Sequence, residues 1–144
     1  HDQVVPRIGE IKAPVGRQEW NRKRFGVVAG GREAATSYEV LGYFKDGNDT
    51  HSLLRLHPKT GRTHQIRVHV KYINHPIVSD DLYGGRKTAR NDRKKLARLF
   101  LHATKITFLH PVTGKEVVFE APLADDLREF VDTLERIDEI GDLG

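Results

Sequence analysis

At His57-Pro-Lys-Thr-Gly61 the hydrophobic period of this chain changes, and that change restricts the folds open to it. Upstream, residues 34–44 (AATSYEVLGYF) are rich in β-formers, and His51 to Leu56 sets Leu54 and Leu56 against Leu53 and Arg55. Gly47-Asn48 lies between the two runs as a turn, so the simplest reading is a β-hairpin. Downstream, from Thr63, the apolar residues Ile66, Val70 and Ile73 recur at helical spacing and predict a helix of about three turns, ended near Asn74 to Pro76. Gly61 permits the sharp turn between strand and helix.

The remaining segments fit the same scheme. From His1 to Gly31 the chain is basic and punctuated by Gly9, Pro14, Gly16, Gly26, Gly30 and Gly31, which predicts short extended pieces and turns. Ile77 to Gly85 reads as a short strand with a glycine turn. Arg86 to Arg98 holds seven basic residues and one acid, and is either a mobile loop or a short basic helix. Phe100 to Leu109 and Val117 to Phe119 read as a second strand pair joined through His110-Pro-Val-Thr-Gly114. Ala124 to Ile137 places Leu127, Phe130, Val131 and Leu134 on one helical face, a core stripe. Hairpins mixed with two helices predict an α+β domain around an antiparallel sheet.

At 144 residues the chain is one domain or a large piece of one. It has no Cys, hence no disulfide framework, and no stretch of the ~18 apolar residues a membrane span needs. A soluble, cytoplasmic protein is expected. It also has no Met and begins at His1, so a piece of something longer is expected. The formal charge of +4 hides an asymmetry: residues 1–115 hold 22 Lys+Arg against 10 Asp+Glu, and residues 116–144 hold 2 against 10. A basic body of this kind suits a polyanion, although a solvated surface gives the same composition.

Polar donors gather where strand meets helix. Thr63 is a plausible helix N-cap, and Arg62, His64 and Arg67 cluster near a helix N-terminus, a place that suits an anion. With Ile66, Val70 and Ile73 toward the sheet, His64, Arg67 and Lys71 share another face at spacings of three and four. A zinc reading of His64, His69, His75 and His102 fails on spacing, because the first two diverge on a helix and no acidic residue or Cys completes a set. Tyr38, Tyr43 and Tyr72 read as packing residues with polar tips.

The stretch Leu56-His-Pro-Lys-Thr-Gly-Arg-Thr-His-Gln-Ile-Arg-Val-His69, followed by His75-Pro-Ile-Val-Ser-Asp-Asp-Leu-Tyr-Gly84, resembles the corresponding segments of the RluA-type ribosomal large-subunit pseudouridine synthases. Ala13-Pro-Val-Gly-Arg17, Ala35-Thr-Ser-Tyr-Glu-Val40, Leu101-His-Ala103, His110-Pro111 and Ala121-Pro122 follow the family's order, so the likeness runs from about Ile11 to Glu135. It implies the C-terminal portion of an antiparallel-sheet catalytic domain that isomerises uridine in ribosomal or transfer RNA, without metal or cofactor. It also implies that Arg67 pairs with a catalytic aspartate. A guanidinium beside that carboxylate would keep it ionised and oriented.

The departures matter as much. No His-Arg-Leu-Asp, the segment in which the family carries its aspartate, occurs in these 144 residues, nor does its Lys-x-Tyr segment. Ser79 and Asp81 stand where the family usually has Gly and often Pro. Asp80 and Asp81 belong to a different motif and are not assigned as nucleophile. The chain alone is therefore expected to be inactive, with Arg67 awaiting its partner. RNA contacts are expected from Arg62, His64, Lys71, Arg90, Arg93, Lys94 and Lys95, of which the last four lie in an insertion that is an RNA contact or only a solvated loop. The alternatives to an enzyme are a non-catalytic basic RNA-binding module and a purely structural fragment.

Overall fold

A computed structural model describes residues 1–138 and shows an α+β fold built on antiparallel pairs. Strand β4 (Ala35–Asp46) is the spine of the main sheet: β5 (Asp49–Pro58) pairs along one side, while β1 (Ile8–Lys12) and β8 (Glu135–Arg136) share the other. The β4–β5 hairpin turns at Gly47, whose φ of 61° is the left-handed conformation such a turn needs. It is longer than its sequence signature because polar residues continue the ladder out to Asp46 and Asp49. Two ribbons stand apart from this sheet: β2 (Val15–Arg17) with β3 (Phe25–Val27), and β6 (Lys105–Leu109) with β7 (Glu116–Glu120).

Helix α1 (Gln65–Tyr72) has eight residues, shorter than the three turns its periodicity predicts. Thr63 is not its cap. The chain passes through the left-handed region at His64 (φ 53°), so regular helix starts only at Gln65, and it stops where Asn74 turns left-handed again (φ 68°). The helix is fixed to β4 by polar groups rather than by a greasy stripe alone. His69 is fully buried, its Nδ1 2.8 Å from Thr36 Oγ1 and its Nε2 2.9 Å from the Ala13 carbonyl oxygen. Because a carbonyl only accepts, His69 carries its proton on Nε2 and takes a hydrogen bond from Thr36 through Nδ1. Gln65 donates to Thr36 Oγ1 and the Ala35 carbonyl, and accepts from Thr60 Oγ1 and the Arg62 amide. Val68 and Val70 complete the buried face, Ile73 packs partly buried on the β1–β4 cluster, and Tyr72 is exposed rather than packed.

Residues 77–85 form successive turns, not the strand that their composition suggests. The Asp80 carboxylate accepts from the backbone N–H groups of Leu82 and Tyr83, and this local side-chain bonding displaces any ladder. The basic run that follows is helical only in its first half, as helix α2 (Arg86–Asp92), and its remainder, 93–98, continues as turns and bends. Helix α3 (Asp125–Asp132) is shorter than the predicted 124–137 because Thr133 bonds back to the Phe130 carbonyl and the chain then adds β8 to β4. Leu127 and Phe130 are buried with Val78 and Leu96, and Leu134 packs against them, so three of the four expected stripe residues are core, while Val131 is half-buried outside the cluster. No helix among the described residues is long and apolar enough to cross a membrane.

Candidate active site and nucleic-acid interface

Helix α1 carries Arg67 to the turn at Asp80, and the two side chains meet edge to edge. Arg67 Nε is 2.9 Å from Asp80 Oδ2 and Nη2 is 2.7 Å from Oδ1, a two-pronged pair. Asp80 is 0% exposed, and its Oδ1 also takes the Leu82 and Tyr83 amides at 3.0 and 2.9 Å. Burial by itself raises the pKa of this carboxyl; the Arg67 hydrogen bonds and the two amides outweigh it, so the group is held below the usual carboxylate range. Asp80 in turn pushes the Arg67 pKa up. The turn admits no substitute at Gly84, where a Cβ would lie 2.5 Å from the Asp80 carbonyl oxygen.

Tyr83, 1% exposed, lies beneath this pair, with Arg67 Cζ 5.1 Å and Arg24 Cζ 5.4 Å from its ring centre. The Phe25 amide donates to the Tyr83 hydroxyl, and the hydroxyl lies 2.8 Å from His64 Nδ1. Nδ1 of His64 is the one acceptor within reach of the buried Tyr83 hydroxyl proton among the described residues, so Tyr83 donates to it, which leaves the proton of a neutral imidazole on Nε2. Burial first and the Arg67 charge second push the His64 pKa down, in keeping with a neutral ring. Arg67 thus stands on an ordered base of Asp80, Tyr83 and His64. Its side chain is 17% exposed, and Nη1 makes no hydrogen bond within the chain among the described residues.

A cleft of about 700 Å³ opens between the 21–24 loop, the end of α1 and α2; Arg67 does not line it, but Lys71, one helical turn further along α1, does. Arg24, Lys71, Arg86, Arg90 and Arg93 line it, with Asp81 as the one carboxylate. The expected RNA contacts are therefore divided. Lys71, Arg90 and Arg93 share this cleft, and Arg62 and His64 lie at the turn before α1, where Arg62 Nε donates to the Glu33 carbonyl at 2.9 Å. Lys94 is exposed outside the cleft lining, and Lys95 reaches Asp46 at the β4–β5 turn, 2.5 Å away. Arg24 and Arg86 were not singled out by the sequence, because a shared basic composition does not say which cations converge. Asp80 was passed over as part of another motif, although an Asp two and three residues ahead of free amides is a turn signal. Among the described residues no three His, Cys, Asp or Glu side chains gather as a metal-binding group.

The family model described as RNA pseudouridylate synthase matches residues 3–72. Ribosomal large subunit pseudouridine synthase D of Vibrio vulnificus is 40% identical over 136 residues, covering 89% of this chain and 41% of that protein. The protein of the same name from Vibrio cholerae is 43% identical over 129 residues, covering 84% and 39%, and an uncharacterized RNA pseudouridine synthase of Bacillus subtilis is 41% identical over 136 residues, covering 94% and 42%. The chain spans about two fifths of the length of these relatives. The solved structure of human RNA pseudouridylate synthase domain containing 1 superposes with a TM-score of 0.73 over 98% of this chain and 59% of that one, at 24% identity, a likeness of fold.

Proposed function

We propose that the chain, which is similar to RNA pseudouridine synthases over most of its length, belongs to their RluA-type branch and is the part of such an enzyme that holds Arg67 against a catalytic aspartate. The observation that carries the reading is the geometry of Arg67: a guanidinium braced on one edge by Asp80 and left with Nη1 uncommitted. The aspartate would come from the His-Arg-Leu-Asp segment that the family carries and these 144 residues do not contain. A carboxylate must be ionised to act on a ribose, and a rigid cation at hydrogen-bonding distance favours that form. The isomerisation exchanges a carbon–nitrogen glycosidic bond for a carbon–carbon bond within one nucleoside, with no net gain or loss of atoms or electrons, so it calls for no redox cofactor.

The substrate in this reading is structured RNA, ribosomal RNA first. The cleft supplies the means of holding it, since Arg24, Lys71, Arg86, Arg90 and Arg93 present cations suited to phosphates, Lys71 one helical turn from Arg67 on α1. That cleft alone would equally serve an RNA-binding module without chemistry. The test separates the two: unmodified ribosomal RNA is incubated with this chain and with the full-length protein, and pseudouridine is mapped. Conversion by the full-length protein and none by the chain is expected, with salt-dependent RNA binding by both. Conversion by the chain alone would refute the need for an outside aspartate, and full-length protein that binds RNA but converts none would favour the binding module.

A further inference from the structure

We infer that Asp80 is the positioning residue for Arg67: it takes the Nε/Nη2 edge of the guanidinium so that the outer Nη1/Nη2 edge is the one presented to an incoming oxyanion. This rests on the reading of Arg67 given above and assigns a role to a residue outside the Arg67–aspartate pair.

An arginine on a short helix can ordinarily swing through several rotamers, and its five N–H groups offer more than one edge to a carboxylate. Here two hydrogen bonds of 2.9 and 2.7 Å fix both the position and the plane of the guanidinium. The fixing group is itself immobile, because Asp80 is fully buried, is tied to the Leu82 and Tyr83 amides, and sits in a turn that Gly84 closes against its carbonyl. A surface salt bridge would hold little, but a carboxylate with no exposure and four hydrogen bonds holds like a jig. The Tyr83 ring limits tilt from below. A second oxyanion can then approach only the outer edge formed by Nη1 and the second N–H of Nη2, near which the exposed Asp81 Oδ1 lies 4.0 Å from Nη2, and this converts a mobile cation into a directed one.

The experiment is a double-mutant cycle in the full-length protein, reading single-turnover pseudouridine formation at saturating RNA and, separately, RNA affinity. Asp80→Asn, which preserves volume, should lower the rate at least tenfold and leave RNA affinity within twofold. On an Arg67→Ala background the same change should alter the rate less than twofold, since no guanidinium remains to be oriented. A merely structural Asp80 would cost the same factor in both backgrounds, and that result, or an Asp80→Asn rate within twofold of wild type, would overturn the inference. Should Asp80→Asn not fold, nitrogen NMR of the wild-type Arg67 side chain decides: hindered rotation about Nε–Cζ supports the hold, free rotation overturns it. Wild-type protein that forms no pseudouridine would sink the functional reading instead, and the same NMR measurement would still decide whether Asp80 holds Arg67.

Discussion

The chemistry of Asp80 sets a measurable pH dependence of stability. Its folded pKa lies below the usual carboxylate value, the Arg67 and amide hydrogen bonds having overcome the opposing effect of burial. A carboxyl depressed in the folded state contributes stability that is complete above its unfolded pKa, about 3.9, and is lost as pH falls through the folded value. Asp80→Asn should therefore destabilise the chain by about 2–3 kcal/mol at pH 7, the order expected for breaking a largely buried pair. Denaturant titrations of wild type and variant from pH 7 to 2.5 check this. The gap between them should stay constant down to about pH 5 and close below about pH 4; a gap unchanged at the lowest pH would deny the assignment. Asp92 and Asp138 are depressed too, so only the difference between the two proteins isolates Asp80. His64 works in another window, for a neutral histidine of lowered pKa contributes stability that fades as pH falls below about 6.5.

Helix α1 can present Arg67 only if its own seat on β4 is rigid, and that seat is a polar network. Thr36 Oγ1 stands at its centre, giving its proton to His69 and receiving one from Gln65. Thr36→Val, nearly equal in size, should leave His69 Nδ1 without a donor and one Gln65 N–H without an acceptor, at a cost of about 1–3 kcal/mol in stability. Thermal or urea denaturation measures it, and a loss under about 0.5 kcal/mol would mean that the network tolerates repair by water. This seat explains what sequence periodicity could and could not reveal. The hairpin was legible because Gly47-Asn48 and alternating residues act locally, and the strand-to-helix switch was legible at Gly61. The buried face of α1 was not, since apolar spacing pointed to Ile66, Val70 and Ile73 while Gln65 and His69 do much of the docking. Polar residues become interior only when partners distant in sequence, here Thr36 and Ala13, arrive to satisfy them. Arg67 stood out for its motif, whereas its partner Asp80 needed three dimensions.

At the scale of the molecule, the β6–β7 ribbon is the feature that monomeric packing leaves unexplained. Ile106 faces Phe119 and Phe108 faces Val117 across the ladder, so all four share one side of the ribbon, with the Phe108 and Phe119 rings stacked at 6.0 Å. Ile106, Phe108 and Phe119 are 58%, 41% and 59% exposed, an apolar face of the kind that soluble monomers seldom leave open. The main sheet adds a second opening, because beyond Ser52 the outer side of β5 pairs with no strand among the described residues. Both features favour association of the 144-residue chain with itself. Sedimentation velocity should show a weight-average mass that rises with protein concentration, where a strict monomer would hold 16.4 kDa throughout. If the ribbon face is the cause, Phe108→Ser with Phe119→Ser should suppress the rise while leaving the melting temperature within a few degrees, since neither ring belongs to the three buried clusters. Association that persists in the double variant would move the contact to the β5 edge, and a Leu53→Lys variant on that strand would then be the one to abolish it.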